Sequence, residues 1–218
     1  MDFLPRVEIL PPPQQRLWQE LSSVPREFVL YGGTALALHL GHRTSIDFDF
    51  FGSKPLGESF PEMQIGFLEG AKIIQRDMNT WSGVVDRDGP VKVSFCGVPN
   101  LPRLAQPLIA RDNKLQVASL LDLAGTKASV VQVRGEAKDY IDIDALITLG
   151  GMSLATALAA GRRLYGVAFN PEITLKALSY FGDGNLKELP EDLRLRLVAA
   201  VREVDLDRLP DIPDLEQL

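Results

Sequence analysis

The sequence predicts an α+β fold over about the first 118 residues, followed by a helical half. Three observations carry this expectation. Up to Val117 the apolar residues fall in short runs, several of them alternating with the period of two that a half-buried strand requires. From Leu120 onward they recur at helical spacing instead. Between these patterns the run Phe28-Val29-Leu30-Tyr31 meets Gly32-Gly33 and then an Ala- and Leu-rich stretch, which is a strand, a glycine turn and a helix in series. The expected division is 1–118 for the α+β core, 119–205 for the helical region and 206–218 for an acidic tail.

Taken in order, Pro11-Pro12-Pro13 closes a leading segment, and residues 14–21 form a helix with Leu17, Trp18 and Leu21 on one face. Residues 28–31 make the first strand and 34–40 the next helix, which Gly41 closes as a C-cap glycine. Residues 46–51 alternate strictly. Ile46, Phe48 and Phe50 point one way, and Ser45, Asp47 and Asp49 the other. A three-stranded meander follows at 71–76, 81–86 and 91–96, turning at Asn79 and at Asp88-Gly89-Pro90, and 115–117 adds one short strand. Helices are then expected at 120–127, 137–149, 154–165, 171–181 (proline in the first turn) and 191–204. The final residues, 205–218, are acidic and proline-broken and read as extended chain.

Composition excludes several classes. The 218 residues are 45% hydrophobic and 24% charged, ordinary globular values, so a disordered or fibrous chain is ruled out. With 23 Lys+Arg against 29 Asp+Glu, the formal charge of −6 argues against a general nucleic-acid coat protein. Residues 183–218 hold ten acidic side chains and five basic ones, so the acidity is mostly C-terminal and does not oppose one RNA end held at one site. Cys96 is the single cysteine, which excludes an intramolecular disulfide, and with only two histidines beside it no structural zinc set is expected. No apolar run reaches the roughly 18–20 residues that span a bilayer. The N-terminus lacks the basic-then-apolar order of a secretory signal, so a soluble cytoplasmic protein without a membrane partner is expected.

Three groups of residues carry chemistry. Gly32-Gly33-Thr34 stands between strand and helix, where glycines permit close backbone approach and a helix N-terminus offers N–H groups to phosphate; a plain turn with an N-cap threonine has the same pattern. Asp47 and Asp49 share a strand face with Cα atoms about 6.6 Å apart. That suits carboxylates sharing Mg²⁺, whose remaining ligands are substrate phosphates. Lys127 falls on the apolar side of its helix, where burial demands a charged partner, and Asp139 and Asp142 share a face of the next helix. His39 is expected on a helix surface or in a hydrogen-bonded cleft rather than on a metal. Arg162, Arg163 and Lys176 are expected to form a basic patch or a solvated helix face.

The stretch GGTALALHLGHRTSIDFDFF, residues 32–51, resembles the signature of the AbiEii/AbiGii-type toxin nucleotidyltransferases, within the DNA polymerase β-like superfamily. The stretch LLDLAGTKASVVQVRGEAKDYIDIDAL, residues 120–146, resembles the same family's second block, a helical lysine followed by Arg-x-x-x-Lys-Asp-x-x-Asp. The likeness implies a nucleotidyltransferase-type mixed β-sheet with flanking helices. It implies Mg²⁺-dependent transfer of NMP from an NTP to an acceptor hydroxyl, with RNA or tRNA as acceptor and an antitoxin protein as partner in a toxin–antitoxin or phage-defence system. On this likeness Gly32, Gly33 and Thr34 would hold the triphosphate, and Asp47 and Asp49 would chelate the catalytic metal. Arg43 and Ser45 would contact the nucleotide and Lys127 its phosphates, while Asp139 would position or deprotonate the acceptor hydroxyl. The superfamily often takes a third metal carboxylate from a later strand, whereas the strand at 91–96 offers Lys92, Ser94 and Cys96 on its polar face. That departure keeps two rivals open: a nucleotide-binding or interaction protein of the same fold with weakened catalysis, and a nucleotidyltransferase for a small molecule such as an aminoglycoside.

Overall fold

The computed structural model describes residues 2–57, 60, 65–213 and 215. They fall into two compact units, Met1–Pro102 with Pro107–Ser119, and Arg103–Gln106 with Leu120–Leu218.

The first unit contains β1 (Asp2–Phe3), α1 (Pro12–Glu20), β2 (Phe28–Tyr31), α2 (Gly32–Leu40), β3 (Asp47–Gly52), β4 (Lys72–Asp77), β5 (Thr80–Asp86), β6 (Pro90–Gly97), β7 (Leu108–Ala110) and β8 (Gln116–Val117). The strands form one eight-stranded mixed sheet in the order β1-β7-β8-β2-β3-β6-β5-β4. Strand β3 pairs antiparallel with β2 and parallel with β6, from Asp47 opposite Lys92 to Gly52 opposite Gly97. Its alternation is that of the sequence: Phe48 and Phe50 are wholly buried, and the aspartates lie on the other face. Phe50 stacks on Phe95 at 4.9 Å, while Phe28 and Trp81 meet Phe95 edge-on at 5.2 and 6.1 Å. Such offset and edge contacts satisfy the ring quadrupoles and make one aromatic core beneath the aspartate-bearing face. Helix α1 is tied down by the Trp18 indole, which donates to Asp112 at 2.6 Å, and by the Asn113 amide, which donates to the Trp18 carbonyl at 2.8 Å.

Strands β1 and β7, of two and three residues, were not expected; segments so short carry no readable period. Strand β4 ends the sheet with all six residues exposed and a register shift between Ile73 and Gln75. His39 leaves α2 to stack on Phe3 at 4.5 Å, and its Nε2 lies 2.9 Å from the Ala118 carbonyl oxygen.

The second unit contains α3 (Leu120–Val130), α4 (Ala137–Thr148), α5 (Leu154–Tyr165), α6 (Pro171–Ala177) and α7 (Glu191–Arg202). Helices α3 and α5 pack closely because Gly125 has no side chain. A Cβ there would stand 2.7 Å from Leu164 Cδ1 and 2.9 Å from the Ala160 carbonyl carbon. Asp122, buried in α3, accepts the backbone N–H of Leu104 at 2.8 Å and of Ala105 at 3.3 Å, which binds the 103–106 segment to this unit. Arg196 of α7 grips Asp144 of α4 with two parallel hydrogen bonds of 2.8 Å. Helix α6 is shorter than expected: the Ser179 and Tyr180 amides bond three residues back, a tightened turn that ends the helix before Gly182. The C-terminal stretch also differs from expectation. A 3₁₀ turn forms at Leu206–Arg208, and Ile212 packs against the buried cluster of Leu104, Ala160 and Leu164.

Two outcomes follow from this packing. Gly125→Ala forces backbone apart where α3 meets α5 and is expected to cost about 1–3 kcal/mol, read as a lowered urea midpoint. Burial depresses the His39 pKa, only partly offset by the Ala118 carbonyl, so the unfolded chain protonates first. The stabilising contribution is therefore full above about pH 6.5 and is lost as pH falls through the lower folded value. The urea midpoint should drop between pH 7.5 and 5.5, and His39→Gln should flatten that drop.

Candidate active site

The site-bearing surface of the first unit begins where β2 stops. Tyr31 is extended, and Gly32 then takes φ +74°, a left-handed conformation that glycine adopts without strain, so the first turn of α2 starts at once. Two glycines are needed for contact as well as conformation. A Cβ on Gly32 would come within 3.1 Å of Asp49 Oδ2, and one on Gly33 would collide with the Arg43 guanidinium. The N-terminal turn of α2 thus lies between a carboxylate on one side and a guanidinium on the other. Its unpaired N–H groups and partial positive charge favour an anion there.

Behind this turn, Thr34 and Ser45 brace the backbone. The Thr34 hydroxyl, 2% exposed, donates to the Asp47 carbonyl and shares a 2.8 Å hydrogen bond with the Ser45 hydroxyl. Thr34 and Ser45 were expected to hold the nucleotide; the geometry instead engages both hydroxyls with each other, so they fix α2 against β3. Arg43 Nη1 donates to the Thr44 carbonyl at 3.0 Å.

On β3, Asp47 and Asp49 project on the same face, with Lys92 and Ser94 of β6 as their respective neighbours. The Ser94 hydroxyl, mostly buried, donates to Asp49 Oδ1. Where a third carboxylate was sought, a serine therefore fixes the rotamer of the second aspartate. Oxygen donors of this kind fit a hard divalent cation. Among the described residues no group of three or more His, Cys, Asp or Glu is placed to cage a metal. Two carboxylates with substrate phosphates suit Mg²⁺, which rarely has an all-protein cage.

In the second unit, Lys127 is sunk into α3 with 6% of its side chain exposed. Its Nζ is 2.8 Å from Asp139 Oδ1 and 2.6 Å from Asp142 Oδ2, and both carboxylates are wholly buried. Arg134 adds Nε to Asp139 Oδ2 at 2.7 Å and Nη2 to Asp139 Oδ1 at 3.1 Å. Burial alone would raise the Asp139 pKa, but Arg134 and Lys127 together hold it below the ordinary carboxylate value. Asp139 thus differs from the acid expected to meet an acceptor hydroxyl: both oxygens are bonded to cations, and no surface is left for a substrate. Two of the three Lys127 donors are engaged as well, which leaves one.

Some of these roles were beyond sequence reading. Ser94 acts on a residue 45 positions away, and only the β3–β6 register reveals it. Arg162, Arg163 and Lys176 are all exposed, the first two bordering a cavity with residues 209–212 and the last a different one with Arg134, so they do not share one basic site.

A mixed sheet whose central strand carries Asp-x-Asp beside a glycine-opened helix N-terminus defines a nucleotidyltransferase. The family model for the AbiEii nucleotidyl transferase toxin of type IV toxin–antitoxin systems matches residues 16–218, and the chain belongs to that family. An uncharacterised Aquifex aeolicus protein is 32% identical over 170 residues, 77% of this chain and 79% of its own length. MenT4, a nucleotidyltransferase toxin of Mycobacterium tuberculosis, superposes with a TM-score of 0.59 at 14% identity over 89% of this chain and 83% of that one. A protein of H. pylori classed as a nucleotidyltransferase superposes with a TM-score of 0.56 at 16% identity, over 87% and 90% of the two chains. These two likenesses show the fold.

Lys127→Met removes the cation shared by the buried Asp139 and Asp142 of α4. It is expected to destabilise the protein by about 3–5 kcal/mol, measured by urea denaturation, since breaking a buried pair strands the remaining charge.

Proposed function

We propose that the protein is a Mg²⁺-dependent toxin that moves a nucleoside monophosphate from an NTP to a hydroxyl of an RNA acceptor, releasing pyrophosphate. The observation that carries this reading is the approach of the Asp49 carboxylate to the glycine turn of α2, which puts carboxylate oxygens beside a helix N-terminus. Asp47 and Asp49 hold the metal, and the bound metal supplies charge neutralisation of the triphosphate and of the attacking and leaving oxygens. Phosphoryl chemistry of this kind needs positioning and electrostatics more than covalent help. Gly32 and Gly33 admit the triphosphate to the α2 N–H groups, and Arg43 meets its negative charge. Thr34 and Ser45 keep that turn in place against β3, and Ser94 orients Asp49. Within the second unit, Asp139 acts as a positioning residue that aims Lys127 and Arg134. Membership in a toxin–antitoxin family supports an antitoxin partner. No described helix is long and apolar enough to cross a membrane.

The test is incubation with each labelled NTP, Mg²⁺ and total RNA. Label should pass to RNA with the unaltered protein and fall at least about 100-fold in Asp47→Ala and Asp49→Ala. Ser94→Ala should weaken Mn²⁺ binding roughly 10–100-fold, as loss of a partner that orients a ligand does. Label on small acceptors in place of RNA would support the small-molecule rival. Binding of all four NTPs without transfer to any acceptor would defeat the catalytic reading.

A further inference from the structure

A cavity of about 450 Å³ opens in the second unit, lined by Val133, Arg134, Ile173, Lys176, Tyr180 and Asp183 among others. Its walls combine three kinds of group. Arg134 is held at its Nε and Nη2 edge by Asp139, at 2.7 and 3.1 Å, while Nη1 makes no hydrogen bond among the described residues. Lys176 likewise has no ion-pair partner among the described residues. Three large apolar side chains border the opening and remain in solvent: Val133 at 83%, Tyr180 at 57% and Ile173 at 43% exposure. Apolar exposure concentrated around one concave site, beside the Lys176 ammonium and the open Nη1 of Arg134, is the composition of a binding surface.

We propose that this cavity holds one nucleotide unit, its ring on Tyr180 and its phosphate between Arg134 and Lys176. An anchored guanidinium loses little freedom on meeting phosphate, so Arg134 is organised before the ligand arrives. An exposed tyrosine face stacks any base, with the apolar Val133 and Ile173 covering the ring edge. Asp183 accepts from an amino or ribose hydroxyl donor, which the side-chain carboxylates of an acidic peptide do not offer. The volume admits a single nucleotide with its solvent, within the range usual for ligand pockets. This inference rests on the proposed transferase reading only in taking a nucleotide-bearing strand as the acceptor. A free nucleotide has the same chemistry.

The test uses the full chain with EDTA present, so that metal-dependent NTP binding is silent. Anisotropy of a labelled ten-nucleotide single-stranded RNA is followed, with the four nucleoside monophosphates and inorganic phosphate as competitors. Tyr180→Ala should weaken strand binding roughly 5–100-fold, and Tyr180→Phe should keep it. Lys176→Ala should weaken binding and reduce the salt slope by about 0.7. Displacement by monophosphates at strand-like affinity identifies a free nucleotide as the occupant, and displacement by RNA alone identifies the strand; either supports the site. Strand binding unchanged in both Tyr180→Ala and Lys176→Ala, or equal displacement by an acidic decapeptide, overturns it. The two readings fail separately: absence of transfer by the unaltered protein sinks the enzymatic reading, whereas the cavity stands or falls on strand binding in EDTA by Tyr180→Ala and Lys176→Ala.

Discussion

The first unit depends on β3 being hydrogen-bonded along both edges. A strand with neighbours on each side cannot slip by one residue without turning Phe48 and Phe50 out of the aromatic core and the aspartates into it. That penalty fixes the face on which Asp47 and Asp49 emerge. The parallel partner β6 brings Ser94 beside Asp49, and the antiparallel partner β2 ends where α2 begins. Carboxylates, helix end and orienting hydroxyl therefore come together as consequences of one ladder.

The second unit is organised around a charge that cannot be left alone. Removing Lys127 from water demands negative partners, and α4 answers with two carboxylates that would repel each other without it. Asp139 then has a free oxygen edge, which Arg134 occupies. One buried ammonium thus determines how α4 faces α3 and how the Arg134 guanidinium within the 131–136 loop is turned.

What could be read from the chain followed from local periodicity and from large penalties. The alternation of residues 46–51, the glycine pair after a short apolar run and the lysine on an apolar helix face are all visible in a window of a few residues. The β3 strand, the glycine-led α2 and the Lys127 ion network are their structural forms. What could not be read depends on partners distant in sequence. The hydroxyls of Thr34 and Ser45 look like nucleotide contacts in a motif, yet their bonding is decided by how α2 returns to β3. Asp139 reads as one of two acids on a helix face, and only the fold shows Lys127 and Arg134 enclosing it. The two- and three-residue strands β1 and β7 exist through pairing with each other and with β8, so no local pattern announces them.

The outer strand β4 exposes Ile73 and Ile74 together with a row of backbone groups at the end of the sheet. An open edge of this kind is a template on which other chains can add strands. The irregularity between Ile73 and Gln75 breaks the spacing of those groups, and Lys72, Arg76 and Asp77 place charge along it. The kink therefore works as a solubility device. Deleting one residue there would straighten the strand, leave the aspartate-bearing face of β3 untouched, and turn the molecule's boundary into a seed for aggregation.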